Sequence, residues 1–429
     1  MSNITKPLML DETGQAIKDA ILQVAGGLNP KNGVIYGFHV NGNESRPVNM
    51  ITYLKDAVGM TPAKMDYVNG VFDYGSWKDA FFMPRPCMLK YDGTVDYYLD
   101  PDDYTKKENG SASDVTNSAY AGNAMMEWGK NGKKIWLKIV PDADQKSGSV
   151  FIADHEVDSS YHAWSFINNQ GQMVDHFYTP IYNGSNVSNV IRSISGQAPV
   201  NSLNGTTEIA YAKANNKGSE VLWYTEVLAD VMLINFLLLL IGKSTDTQSV
   251  FGNGHYTGGS SASSLLNTGT MDKKGMFWGT NGSGSGVKVF GMENWWGNIW
   301  RRYAGHINAS GTQKIKLTYG TKDGSTATSY NTDGSGYIAI GATPEVTSGG
   351  YISEMAFSKY GMFSKKSEGS QSTYYCDGQW FNNSQTNYAF RGGDCNAGFR
   401  VGALYCSLDY TVSLANWSLG ASLSCKPLA

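Results

Sequence analysis

Four of the chain's five cysteines lie between positions 376 and 425. A thiol is the residue type that holds a soft metal when a pair forms, but spacing alone pairs none of them. Five is an odd number, so a complete disulfide framework within one chain is excluded, and no Cys-x-x-Cys pair occurs. Free, buried thiols are the expectation, in keeping with manufacture in a reducing cytoplasm. The six histidines (His39, His155, His162, His176, His255 and His306) are scattered without the spacing of a structural zinc site. In DADQKSG, Asp142 and Asp144 alternate as in a calcium loop, but no Glu closes a twelve-residue loop. That leaves room only for a structural calcium held by loop carbonyls and Asp. The glycines of GSGSGVKVFG, 282–291, lack a Gly-Lys-Ser/Thr run and a strand-Gly-helix frame, so they read as a loop. No Gly-x-Ser-x-Gly elbow occurs. Spacing therefore assembles no catalytic constellation. A net charge of −3 gives no electrostatic footprint for nucleic acid or an anionic membrane.

Two stretches remain. GMENWWGNIWRRYAG, 291–305, gathers Trp295, Trp296, Trp300 and Tyr303 around Gly297 and reads first as a core element whose indole N–H groups find buried acceptors. From Cys376 to Cys425, 50 residues hold five charges, neither Lys nor Glu, and eight aromatics. A solvated tail would be rich in Lys, Glu and Pro, so this segment belongs to a core or a contact surface.

The elements that must position these stretches are short. Gly numbers 50 of 429 residues, and Asn, Ser, Thr and Tyr recur, which suits many turns and short strands. Length alone suggests two to three domains. Residues 7–28 carry Ile17, Ile21, Val24 and Leu28 on one stripe and predict a helix in an N-terminal unit, 1–29, that either docks on its own domain or self-associates into an oligomer. Residues 30–146 read as a small β-rich region. From 147 to 429 short strands and long loops alternate, with one long helix expected over 219–242. Its apolar run VLADVMLINFLLLLIG carries Asp230 and Asn235 and is short for a membrane crossing, so a buried helix and no membrane insertion are expected. The fold class is α+β. The opening MSNITKPLMLDETGQ has neither a basic n-region nor an apolar h-region, which predicts no signal peptide.

The two stretches together resemble the C-type lectin fold as elaborated in formylglycine-generating-enzyme-like domains. Gly297-Asn298-Ile299-Trp300 is similar to that family's Gly-Asn-Val-Trp motif, and Arg391-Gly392-Gly393-Asp394 to its Arg-Gly-Gly-Ser motif. Gly398-Phe399-Arg400 has the letters of the third motif but falls early, and residues 416–421, NWSLGA, hold its usual place. One branch of the family uses two cysteines after Arg-Gly-Gly to activate copper and oxygen; Cys395 and Cys406 occupy that place only approximately. The other branch comprises the variable proteins of diversity-generating retroelements, often phage tail-tip adhesins, whose C-terminal segment is rewritten through misread adenines.

What the second branch implies is a loop-rich C-type lectin-like domain over 147–429 with a variable segment at about 373–425. The structural frame would be Trp295, Trp296, Gly297, Asn298, Trp300, Arg391, Gly392, Gly393, Trp417 and Gly420. The ligand-binding face would be Asp377, Gln379, Phe381, Phe390, Asp394, Cys395, Asn396, Phe399, Arg400, Leu404, Cys406, Ser407, Asp409, Tyr410, Leu414 and Ser418, a chemically unsorted set. A rigid scaffold tolerates such change on one face. The expected partners are a bacterial cell-surface protein or glycan and phage tail proteins, in a homotrimer in some relatives. No cofactor is expected, and the virion is the expected location. A bacterial surface-display protein and the copper oxidase are the alternatives.

Overall fold

A computed structural model describes residues 33–217, 222–341, 344–345 and 347–427. The helix expected over 7–28, and with it the proposed oligomerisation unit, lies outside the described residues.

Strand dominates and helices are few, a mixed but β-rich fold in which three sheets carry most of the pairing. A four-stranded antiparallel sheet runs in the order Ile51–Lys55, Ile35–Val40, Gly148–Ala153 and Trp136–Pro141. A six-stranded sheet runs Trp223–Thr225, Leu423–Cys425, Phe177–Pro180, Gly122–Trp128, Arg85–Lys90 and Val95–Tyr98. The largest sheet orders Ile338–Ala339, Thr312–Ile315, Trp300–Ala309, Thr386–Arg391, Cys406–Leu408, Gly378–Phe381 and Thr347–Tyr351. Leu419–Ala421 lies parallel to Trp300–Arg302 at its side.

The border drawn at 147 falls one residue before a strand that pairs on both sides with segments of the preceding region. The six-stranded sheet likewise joins residues 85–128 to 177–180, 223–225 and 423–425. One hydrophobic cluster continues from Phe38 to Leu408. Burial of a shared core thus ties the two sequence regions together.

The apolar run forms the helix Leu228–Gly242, all of it buried except the half-buried Asn235. It begins later than position 219 because Trp223–Thr225 is taken into the six-stranded sheet, where it pairs with Leu423–Cys425. A helix that is apolar all round belongs inside a core. Its two polar positions have partners: Asp230 lies 2.9 Å from Lys426 Nζ and accepts from Ser424 Oγ at 3.1 Å. Asn235 donates to the Ala403 carbonyl at 2.7 Å and accepts from Trp295 Nε1 at 2.9 Å. Among the described residues no helix is long and apolar enough to cross a membrane. A second helix, Gly205–Lys213, starts on Asn204, whose side chain accepts from Thr207 N. This Asn-initiated turn was missed because its apolar periodicity is weak.

Candidate functional site

The largest sheet places the site by alternation. Phe390 stands opposite Ser407, and Trp380 beside Ser407 on the other neighbour, so all three face the same way. Arg302 stands opposite Phe390 and shares its parity with Trp300. The opposite parity, Arg391 with Cys406 and Gln379 with Cys406, faces the core. Successive residues therefore face the pocket and the core in turn.

Over the first face lies a concave pocket of about 450 Å³. Its backing is aromatic: Trp300, Trp380, Phe390 and Tyr405, of which Phe390 and Tyr405 are 1% exposed. The Trp300 and Tyr405 rings meet edge to face at 4.5 Å, and Trp380 Nε1 donates to Tyr405 Oη at 2.7 Å. Loops 394–400 and 409–418 form the rim, with Asn396, Tyr410 and Asn416 exposed.

The rim is held from below. Arg302 Nη1 lies 2.6 Å from the Glu208 carboxylate and donates to Leu203 O at 3.0 Å, while Nη2 donates to the Leu414 carbonyl. Asn416 O accepts from Ser202 N at 2.9 Å, Val412 O from Gly205 N at 2.8 Å, and Tyr410 O from Tyr388 N at 2.9 Å. Ser418 O receives Trp300 N at 3.0 Å. These bonds fix the backbone of the loop and leave its side chains free to differ.

The frame residues of both motifs meet under the pocket. Gly297 N donates to Gly392 O at 3.0 Å, and Cys395 N to Asn298 O at 3.0 Å. The Arg391 guanidinium sits 3.5 Å from the Trp295 ring centroid, donates to Trp295 O at 2.7 Å and pairs with buried Glu226. Trp296 Nε1 reaches Gly252 O at 3.1 Å. Gly392 and Gly393 have φ of +83° and +80°, a left-handed pair that turns the chain out of its strand into the rim. Gly420 packs against Val200 O, and Trp417 is half-buried.

Nine of the sixteen residues expected on the binding face line this pocket: Phe390, Asp394, Asn396, Arg400, Ser407, Asp409, Tyr410, Leu414 and Ser418. Phe399 stands at half exposure beside the Tyr256 ring, 5.0 Å away. The other six are buried. Gln379, Phe381 and Cys406 have the core-facing parity of their strands. Asp377 accepts from Leu404 N at 2.7 Å, and a Cβ on Gly402 would come 1.8 Å from its Oδ1, so only glycine fits there. Leu404 and Cys395 pack inside, Cys395 against the loop at Gly259. The pocket adds residues that composition did not mark: Trp300 as a wall as well as a frame, Trp380, Tyr405 and Asn416. A strand-by-strand alternation count from Phe390 would have found Trp380; Arg302 and Glu208 carry no local signal.

Burial raises the carboxyls of Asp394 and Asp409 above their ordinary range, opposed by hydrogen bonds from Asn396, Ser418 and Ser407. The thiols of Cys395 and Cys406 have separate surroundings: Cys406 lies with Tyr303 Oη at 3.7 Å on the core face, and burial pushes it up to about 12. Among the described residues no group of three or more His, Cys, Asp or Glu is placed to hold a metal ion. Asp142 and Asp144 serve the hairpin joining Trp136–Pro141 to Gly148–Ala153. Asp142 pairs with His39 at 2.9 Å, and Asp144 accepts from Lys146 N, Ser147 N and Asn43 Nδ2 at 2.9 to 3.0 Å.

No family model and no curated protein matches the chain.

Proposed function

We propose that the chain is a ligand-binding adhesin of the retroelement-diversified kind, with a C-type lectin-like domain presenting its variable face at a phage tail tip to a bacterial surface receptor. The carrying observation is the division of labour in the pocket. Residues resembling the fixed motifs brace it from beneath, whereas nine residues of unsorted chemistry line it. Packing selection would have sorted them by type; sampling through adenine changes would not. Backbone hydrogen bonds hold the rim, so side-chain exchange there disturbs little of the scaffold. Many weak copies on one particle would bind by avidity.

Sequencing of codons 373–425 across a population of the source tests the reading. Changes confined to adenine-derived positions, with Gly, Ala and Trp codons constant, are expected. A single invariant sequence would remove diversification and reopen the enzyme and fixed-adhesin readings on equal terms.

A further inference from the structure

The pocket's chemistry narrows what it recognises. Asp394 is 7% exposed, yet it lines the cavity. Its donors are Asn396 N at 3.1 Å, the Ser418 hydroxyl and the backbone N–H groups of Ala397 and of Asp394 itself. Asp409, at the other side, receives the Ser407 hydroxyl. Among the described residues no Lys, Arg or His nitrogen stands within ion-pair distance of either carboxylate. A carboxylate offers about four lone-pair sites, so Asp409, which receives only the Ser407 hydroxyl and its own N–H, retains capacity to accept, while Asp394 contributes its charge. Arg400 is the one cation of the lining, 5.8 Å from the Trp380 ring, which leaves two carboxylates against one guanidinium.

Two donors of the floor are already engaged. The Ser407 hydroxyl is committed to Asp409, and the Trp380 N–H to Tyr405. A pyranose needs donors as well as acceptors, whereas an ammonium or guanidinium only donates. Rings at the back of the pocket supply apolar walls for a methylene stem and negative faces for a cation.

Resting on the adhesin reading above, we propose that this pocket receives a basic side chain, Lys or Arg, of a receptor protein, with Asp394 and Asp409 as its counter-charges and the Trp300, Phe390 and Tyr405 rings around its stem. The specificity is for a donor-only cation on an alkyl chain.

Isothermal calorimetry on the full chain tests this with Nα-acetyl-lysine N-methylamide and Nα-acetyl-arginine N-methylamide as probes, against the norleucine analogue, glucosamine and N-acetylglucosamine. One of the basic amides is expected to bind, with the norleucine analogue and both sugars weaker by about tenfold or more, the order of one charged hydrogen bond. Asp394→Asn and Asp409→Asn should each weaken that binding by about tenfold while melting near the parent temperature. Basic amides no better than norleucine, a preference for either sugar, or asparagine variants of parental affinity would each overturn the proposal. Should the variants fail to fold, salt dependence of the parent decides: affinity must fall between about 0.05 M and about 0.5 M NaCl, and constancy would sink it. Failure here with variable codons in the population leaves the adhesin reading intact; invariant codons count against that reading whatever the amides do.

Discussion

Arg302 and Glu208 form a buried ion pair at 2.6 Å, each side chain 2% exposed or less, and through it the helix Gly205–Lys213 holds the Leu414 carbonyl on the pocket rim. Removing one member leaves the other charge without its partner. Glu208→Ala should therefore cost about 3–5 kcal/mol, read by denaturant unfolding.

The same pair sets a pH dependence. Burial pushes the Glu208 carboxyl up to about 7, against the pull of Arg302. Its pKa is raised relative to the unfolded value of 4.5, so its contribution is full below that value and is lost as pH rises through about 7. Melting temperature should decline over that window, and Glu208→Gln should flatten the decline. Parallel slopes for parent and variant would refute the assignment.

Trp300 and Tyr410 both line the pocket but differ in burial, 9% against 47% exposed. Trp300→Ala should cost about 3–5 kcal/mol. Tyr410→Ala should stay within about 0.5 kcal/mol. A comparable loss for both, measured by chemical denaturation, would show the rim to be core.

Gln379 is fully buried with both amide atoms lacking partners. An unsatisfied buried amide destabilises, so Gln379→Leu should leave stability unchanged or raise it by about 1 kcal/mol. A marked drop in melting temperature would show that the amide is bonded in solution.

All five cysteines are buried. Burial pushes the Cys395 thiol up to about 11 and those of Cys87, Cys376, Cys406 and Cys425 up as well. Native protein should give almost no reaction with a thiol reagent at neutral pH, and five equivalents after denaturation. Rapid native labelling would contradict this.

What could be read from the chain in advance follows from range. The apolar run 227–242 announces a buried helix because its signal is contiguous, yet its start shifts to Leu228 because pairing of Trp223–Thr225 with Leu423–Cys425 is a contact across about half the chain. Composition marked the segment 376–425 as ordered, and fourteen of its residues do meet at one cavity. It could not separate Ser407 from Cys406, since only strand register assigns adjacent residues to opposite faces. Arg302 and Glu208 were not seen as partners, because nothing local links residues 94 positions apart.

Residues 419–425 contribute one strand to the largest sheet and, after Ser422, another to the six-stranded sheet. Both sheets thus wait for the same seven residues to leave the ribosome, since domains assemble as their chain emerges N-terminus first. A product ending before residue 419 would leave Trp223–Thr225, Phe177–Pro180 and Trp300–Arg302 each without the strand that pairs with it.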